Sequence, residues 1–267
     1  MRHILLHGHI FKNAGSTLDW SLRRSFGSAF CQHRDDAAMR AAPQDTLAAA
    51  VADASMVALS SHNLPSPPPP LDGIAFHPVF LLRHPIERVL SVYAFERQQQ
   101  AMTPGAQAAK RLNLQDYVAW RLQDDVRPVI RNFQTRFLAD GSARHALDPL
   151  SAEAVAAARQ QLSDGALIGI VERYDESMVV LEEALKPLFP PLDLACVPQN
   201  VTPSSARGAE SARAQLGALW DDVLAHNRED LALYDEALAV LDRQITSIPA
   251  FPRKLGHFRE RSAALRP

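Results

Sequence analysis

Residues 3–26 read HILLHGHIFKNAGSTLDWSLRRSF. Apolar positions from Ile4 to Leu6, and again at Ile10, lie among histidines, and the polar run Lys12-Asn13-Ala14-Gly15-Ser16-Thr17 follows. Leu18, Leu22 and Phe26 then recur every four residues, on one face of a helix. The pattern predicts a strand, a tight loop and a helix.

A loop of this kind turns backbone N–H groups toward the open end of a helix, where the macrodipole adds partial positive charge. Lys12 adds a full charge, Gly15 lets backbone approach a ligand closely, and the hydroxyls of Ser16 and Thr17 can donate to phosphate-type oxygens. The expected guest is a phosphate or sulfate ester. In the usual nucleotide loop, G-x-x-x-x-G-K-[ST], the lysine follows the second glycine. Here Lys12 precedes Gly15, and no Gly-Lys-Ser or Gly-Lys-Thr occurs in the chain, which argues against an ordinary ATPase or GTPase.

At 267 residues the chain can bury a substantial core, and we expect one α/β domain over residues 1–267, a central parallel sheet flanked by helices. Its 47% hydrophobic and 22% charged residues are ordinary for a globular protein. A formal net charge of −2 excludes a globally basic nucleic-acid binder, so anions must be held locally. Cys31 and Cys196, far apart in sequence, read as free thiols of a reducing compartment. No apolar run reaches the length of a membrane span, and Met1 leads directly into the first strand, so the expected location is the cytoplasm.

Further along, His3, His7 and His9 fall on one face of the first strand, but no ligand-spaced carboxylate or cysteine accompanies them and no metal is expected. His9 reads as a structural or phosphate-side residue. Residues 36–54 read as alanine-rich helix with Pro43 at a helix start. Met56 to Leu59 form a buried strand ending in Ser60-Ser61-His62-Asn63, which places His62 at a carboxyl strand end, where open α/β sheets bind ligands. The run Pro65–Pro70 must be extended and unpaired, a stiff connection to the strand Val79–Leu82. A helix follows with Val89, Leu90, Tyr93 and Ala94 on its buried side. The stretch 100–147 is less regular, with helix over 112–122. Residues 150–162 read as helix, 166–171 as strand, and Asp175 as the N-cap of the next helix. Residues 196–209 have loop composition, one long amphipathic helix runs from about Ala212 to Arg243, and 253–267 form a basic, solvated or weakly ordered end.

A second signature is Arg83-His84-Pro85-Ile86-Glu87-Arg88-Val89-Leu90-Ser91-Val92-Tyr93. Together the two stretches resemble sulfotransferases that use 3′-phosphoadenosine 5′-phosphosulfate (PAPS). The first is similar to their 5′-phosphosulfate loop, H-I-P-K-[TN]-[AG]-G-[ST]-[ST], with Phe11 where the family has proline. The second is similar to their 3′-phosphate motif, R-[DNH]-P-x-x-R-x-x-S-x-Y. Further resemblances point to the heparan- and chondroitin-type carbohydrate branch and its bacterial relatives: Ser61-His62, Asn132 to Leu138 (N-x-Q-T-R-[YFW]-L), Gly169 to Ser177, Asn200-Val201-Thr202, and Asp230 to Asp235.

The resemblance implies that Lys12, Asn13, Ala14, Gly15, Ser16 and Thr17 cradle the 5′-phosphosulfate, that Arg83 and Ser91 bind the 3′-phosphate, and that Asn200 and Thr202 begin a loop over the cofactor. Guanidinium suits phosphate because it makes forked bonds. In-line sulfuryl transfer needs positive charge at the leaving phosphate, for which Lys12 is the candidate, and a base for the acceptor hydroxyl, for which His62 is the candidate. Glu172 is a rival base or an ion-paired structural carboxylate. Asn132 and Arg136 either contact the acceptor or hold the central loops. The implied acceptor is a carbohydrate, such as a capsular or surface polysaccharide precursor, the implied product adenosine 3′,5′-bisphosphate, and no metal is required. Two other readings remain: a P-loop-like kinase using ATP, and a nucleotide-binding module without turnover.

Overall fold

The computed structural model describes residues 1–141, 146–163, 167–197 and 208–266. In chain order the elements are β1 (Arg2–Gly8), α1 (Gly15–Phe26), β2 (Phe30–His33), α2 (Asp36–Ala41), α3 (Pro43–Val51), β3 (Ala58–Ser61), β4 (Ile74–Leu82), α4 (Pro85–Gln98), α5 (Pro104–Arg111), α6 (Leu114–Arg121) and α7 (Phe133–Ala139). There follow α8 (Ala152–Ser163), β5 (Leu167–Ile170), α9 (Tyr174–Leu185), α10 (Ala209–Leu216), α11 (Trp220–His226), α12 (Arg228–Ser247) and α13 (Phe251–Ala264).

The strands form one parallel sheet in the order β2-β3-β1-β4-β5, as the α/β pattern predicts. Helices flank it, so its central strands are apolar on both sides: Ile4, Leu5 and Leu6 of β1 and Val79 to Leu82 of β4 are all buried. From β1 the chain builds β2 and β3 on one side of it and then crosses to β4 on the other. The strand order therefore reverses at β1, and a crevice opens at the carboxyl ends of β1, β3 and β4. A second apolar cluster joins Ile86, Val89 and Val92 of α4 to Tyr117, Val118, Leu216 and Val223 beside the sheet. No helix among the described residues is long and apolar enough to cross a membrane.

Several local expectations are corrected. The sheet has an edge strand, β2, at Phe30–His33, and the alanine-rich stretch forms two helices, the second starting at Pro43. Residues 104–111 form the helix α5 within the stretch that looked irregular. The long helix expected over 212–243 is broken twice. Gly217, at φ 56°, ends α10, a left-handed position that glycine adopts without strain. Asn227 then separates α11 from α12, its Nδ2 donating to the carbonyls of Val223 and Ile130, both at 2.9 Å. Asp175 does not cap α9: Tyr174 already begins that helix, and Asp175 lies in its first turn, 3.0 Å from Arg259.

The basic end is likewise ordered helix through Ala264. Phe251 and Phe258, seven residues apart, share a face of α13 and are buried. Burying two phenylalanines stabilises by about 3–6 kcal/mol, an upper estimate. Half-exposed pairs such as Arg259 with Asp175 add about 1 kcal/mol or less each. Apolar contact docks this helix together with the more buried pairing of Arg261 with Glu182 (2.7 Å) and Asp193.

Candidate functional site

The phosphate-type loop occupies the crevice. β1 ends at Gly8, and the chain turns through Phe11, Lys12, Asn13 and Ala14 into α1. Lys12 and Ala14 are left-handed, at φ 67° and 57°, which costs non-glycine residues about 1–3 kcal/mol each. Neighbouring groups hold the loop in that shape. Asn13 Nδ2 donates to the Leu81 carbonyl (2.7 Å) and to Gln134 Oε1 (2.6 Å). Arg83 Nη1 donates to the Lys12 carbonyl at 3.2 Å, and Arg88 Nε to the Phe11 carbonyl at 3.1 Å. No side chain caps α1, and Ala14, Gly15, Ser16 and Thr17 line a cavity of about 980 Å³, so the open helix end adjoins that space. Gly15 is required by closeness: a Cβ there would stand 2.3 Å from Cδ2 of His9.

Lys12, Arg83 and Ser91, from three separate segments, line the same cavity. The Lys12 ammonium lies over the Phe95 ring at 4.3 Å, and Phe95 meets Phe11 edge-on. Burial, followed by the charges of Arg83 and Arg88, lowers the Lys12 pKa to about 8. Arg88, the second arginine of its motif, is fully buried, donates also to the Val129 carbonyl (2.8 Å) and stacks on Phe133. Burial lowers its pKa to about 10, partly opposed by Asp230. It shapes the loop from behind.

His62 stands at the carboxyl end of β3. Its Nδ1 lies 2.8 Å from the His9 carbonyl, which can only accept, so Nδ1 carries the proton and the neutral ring has its lone pair on Nε2. The His9 and His62 rings are 4.1 Å apart. His9 is in turn held by Asp19, with Nδ1 2.9 Å from Oδ2, while His7 Nδ1 lies 2.7 Å from Oδ1 and Gln32 Nε2 donates to Oδ2 at 3.1 Å. Burial works against the Asp19 anion, yet the charges and hydrogen bonds of His7 and His9 hold its carboxyl well below the usual range. Burial lowers the pKa of His9, although the Asp19 bond pulls the other way. His7, His9 and Asp19 each offer one donor atom within 4.8 Å of the others. Ring protons shared with the carboxylate account for these contacts. His3 does not join them; it pairs with His77 at 2.9 Å.

Three expected site residues make hydrogen bonds within the fold. Asn13 turns inward to anchor the loop and contributes only backbone to it. Asn132 and Arg136, expected either to meet an acceptor or to hold the central loops, do the second. Asn132 Oδ1 accepts from the amides of Glu229 and Asp230, each at 3.1 Å, and Arg136 donates to the carbonyls of Ala146 and Asp148. Between them, buried Asp230 accepts from the Gln134 and Thr135 amides, tying α7 to α12. Glu172 Oε1 accepts from the His84 amide and Oε2 from the Tyr234 hydroxyl, so the rival base is a bridging carboxylate in the cavity wall. Asn200 and Thr202 lie outside the described residues.

Two contributors were not anticipated. Asp19, one helical turn inside α1, is the partner that the strand histidines lacked in the linear pattern. Arg259 and Ser262 of α13, and Arg266 just beyond it, line the cavity, bringing the basic end to the same space as Lys12 and Arg83.

Comparison with known proteins adds one relative and no function. No family model and no solved structure matches the chain. An uncharacterized protein of Archaeoglobus fulgidus is 28% identical over 253 residues, which cover 89% of this chain and 96% of that protein.

Proposed function

We propose that this protein is a PAPS-dependent O-sulfotransferase acting on a carbohydrate hydroxyl. The observation that carries the reading is convergence: the uncapped end of α1, Lys12, Arg83 and Ser91 line one cavity, and His62 lines it too. Two anionic groups of one nucleotide suit such a wall, with the 5′-phosphosulfate at the α1 loop and the 3′-phosphate at Arg83 and Ser91. The cavity volume, about 980 Å³, is at the upper end of small-molecule sites.

When bound, PAPS supplies an activated sulfuryl group, so that an S–O bond to the acceptor forms while the S–O bond to the 5′-phosphate breaks and its electron pair leaves on phosphate. Lys12 meets the charge that develops on that phosphate. His62 takes the acceptor proton on Nε2, the nitrogen its hydrogen bond to His9 leaves unprotonated. Asp19 and His9 fix the orientation of that base, and Arg83 fixes the nucleotide. The reading includes a cytoplasmic enzyme, which the two free thiols, Cys31 and Cys196, support.

Thermal unfolding with adenosine 3′,5′-bisphosphate, compared with ATP and magnesium, tests the reading. At about 100 times its dissociation constant the bisphosphate should stabilise by about 2.7 kcal/mol. Stabilisation by ATP with magnesium and none by the bisphosphate would replace the sulfotransferase by a kinase-type protein.

A further inference from the structure

A second, smaller cavity of about 270 Å³ adjoins the first at the carboxyl ends of β2 and β3. His9, Gln32 and His62 line both spaces, so the residue assigned as base belongs to the walls of both. The other walls of the smaller cavity are His33, Arg34, Asp36, Ser60 and Ser61. Every one of these side chains is polar. Gln32 is held in one orientation, with its Nε2 on Asp19 and its Oε1 accepting from Arg34 Nη2 at 2.9 Å.

We propose that this groove seats the acceptor, and that the acceptor unit it takes is a single neutral sugar ring rather than a uronate or sulfated one. The inference rests on the sulfotransferase reading and deepens it. Charge decides the class. The donor cavity gathers Lys12 and Arg83 at the loop, whereas the groove has one fixed cation, Arg34, offset by one fixed anion, Asp36. A polyanionic acceptor needs an excess of arginine or lysine along its path, and Asp36 would repel it. Size decides the length. A volume of about 270 Å³ is just below the usual range for drug-sized ligands, about 300–1,000 Å³, and suits one ring. Hydroxyls of a neutral ring match the serines, amide, imidazole and carboxylate lining the groove, each of which can donate or accept.

The test measures formation of adenosine 3′,5′-bisphosphate from PAPS with neutral methyl hexosides and, separately, with the corresponding methyl hexuronides. Bisphosphate affinity is measured independently by calorimetry. Transfer to at least one neutral hexoside is expected, with a lower KM than for its hexuronide. Asp36→Ala and Arg34→Ala should each raise that KM roughly three- to tenfold, the scale of one hydrogen bond, with the bisphosphate affinity unchanged. Arg34 is solvent-exposed, so its variant keeps the test open should Asp36→Ala misfold. Preference for the hexuronide, unchanged KM in both variants, or bisphosphate binding without transfer to any neutral hexoside would each overturn the acceptor assignment and leave the donor site standing. Absence of bisphosphate binding would instead remove the sulfotransferase reading, and this inference with it.

Discussion

The imidazole of His62 donates its Nδ1 hydrogen to the backbone carbonyl of His9, 2.8 Å away, while the ring of the same His9 is held by Asp19 at 2.9 Å. One residue thus joins the phosphate loop to the nitrogen proposed to take the acceptor proton. Replacing His62 by alanine should leave bisphosphate affinity intact and lower turnover by roughly 10²–10⁴. Turnover within a few-fold of wild type on a sulfated acceptor would remove His62 as the base.

Asp19 is the fixed point behind that arrangement. Asp19→Asn keeps the shape but offers one acceptor oxygen to two ring N–H groups, so we expect a loss of about 1–3 kcal/mol in urea unfolding near neutral pH. Because the native carboxyl titrates well below its unfolded value near 4, its contribution is present above about pH 4 and is lost as pH falls further. The gap between wild type and variant should accordingly narrow only on the acid side.

Lys12, with its pKa lowered to about 8, keeps its charge below that pH and loses it above. Donor kcat/KM should therefore fall on the alkaline side, by about tenfold per pH unit once Lys12 is mostly neutral. Lys12→Arg, charged throughout, should abolish that limb even if its rate is lower. Lys12→Ala should lower turnover by roughly 10² or more.

The two arginines of the second motif separate by their burial. Arg83→Ala should weaken bisphosphate binding by about 1.5–3 kcal/mol, the scale of hydrogen bonds to charged groups. Arg88→Met should instead destabilise the fold by about 2–4 kcal/mol, since the carbonyls of Phe11 and Val129 lose their donor. Calorimetry and denaturant unfolding on both variants would show whether the two effects divide in this way.

Arg136 offers a contrast within a stretch expected to reach the acceptor. Its guanidinium secures the carbonyls of Ala146 and Asp148, so Arg136→Ala should lower stability by about 1–3 kcal/mol without raising the acceptor KM. A raised KM at unchanged stability would return this residue to the acceptor site.

The central strands and the loop were legible because they obey strong local rules. β1, β5 and the Val79–Leu82 half of β4 are short apolar runs ending at polar junctions, and the loop advertises itself through Gly15 and its hydroxyls, whereas Ile74 to Pro78, which hold His77 and Pro78, gave no strand signal. β2 was not legible, since four residues containing Gln32 and His33 lack an apolar alternation and take their place from pairing with β3. The long helix was overextended because leucine spacing continues through Gly217 and Asn227, whose turns depend on contacts from other segments. The basic end misled because its charges mask Phe251 and Phe258, which share one face. Within the site, Lys12, Arg83, Ser91 and His62 line one cavity, while Asp19 could be paired with His7 and His9 only once α1 was folded back over β1. The residues around Asn132 showed two possible uses in sequence, and only their hydrogen bonds to α12 distinguish them.

Lys12, Arg83 and Arg88 repel one another before any ligand arrives, their charges held together by carbonyls and aromatic rings in a loop with two left-handed residues. Asp230 and Glu172 offset part of that repulsion, and on the proposed function a tetrahedral anion would relieve the rest. In practice the choice of buffer salt matters: sulfate or phosphate should protect the protein from heat more than chloride at equal ionic strength, beyond their general salting-out effect, and that excess should vanish in Lys12→Ala.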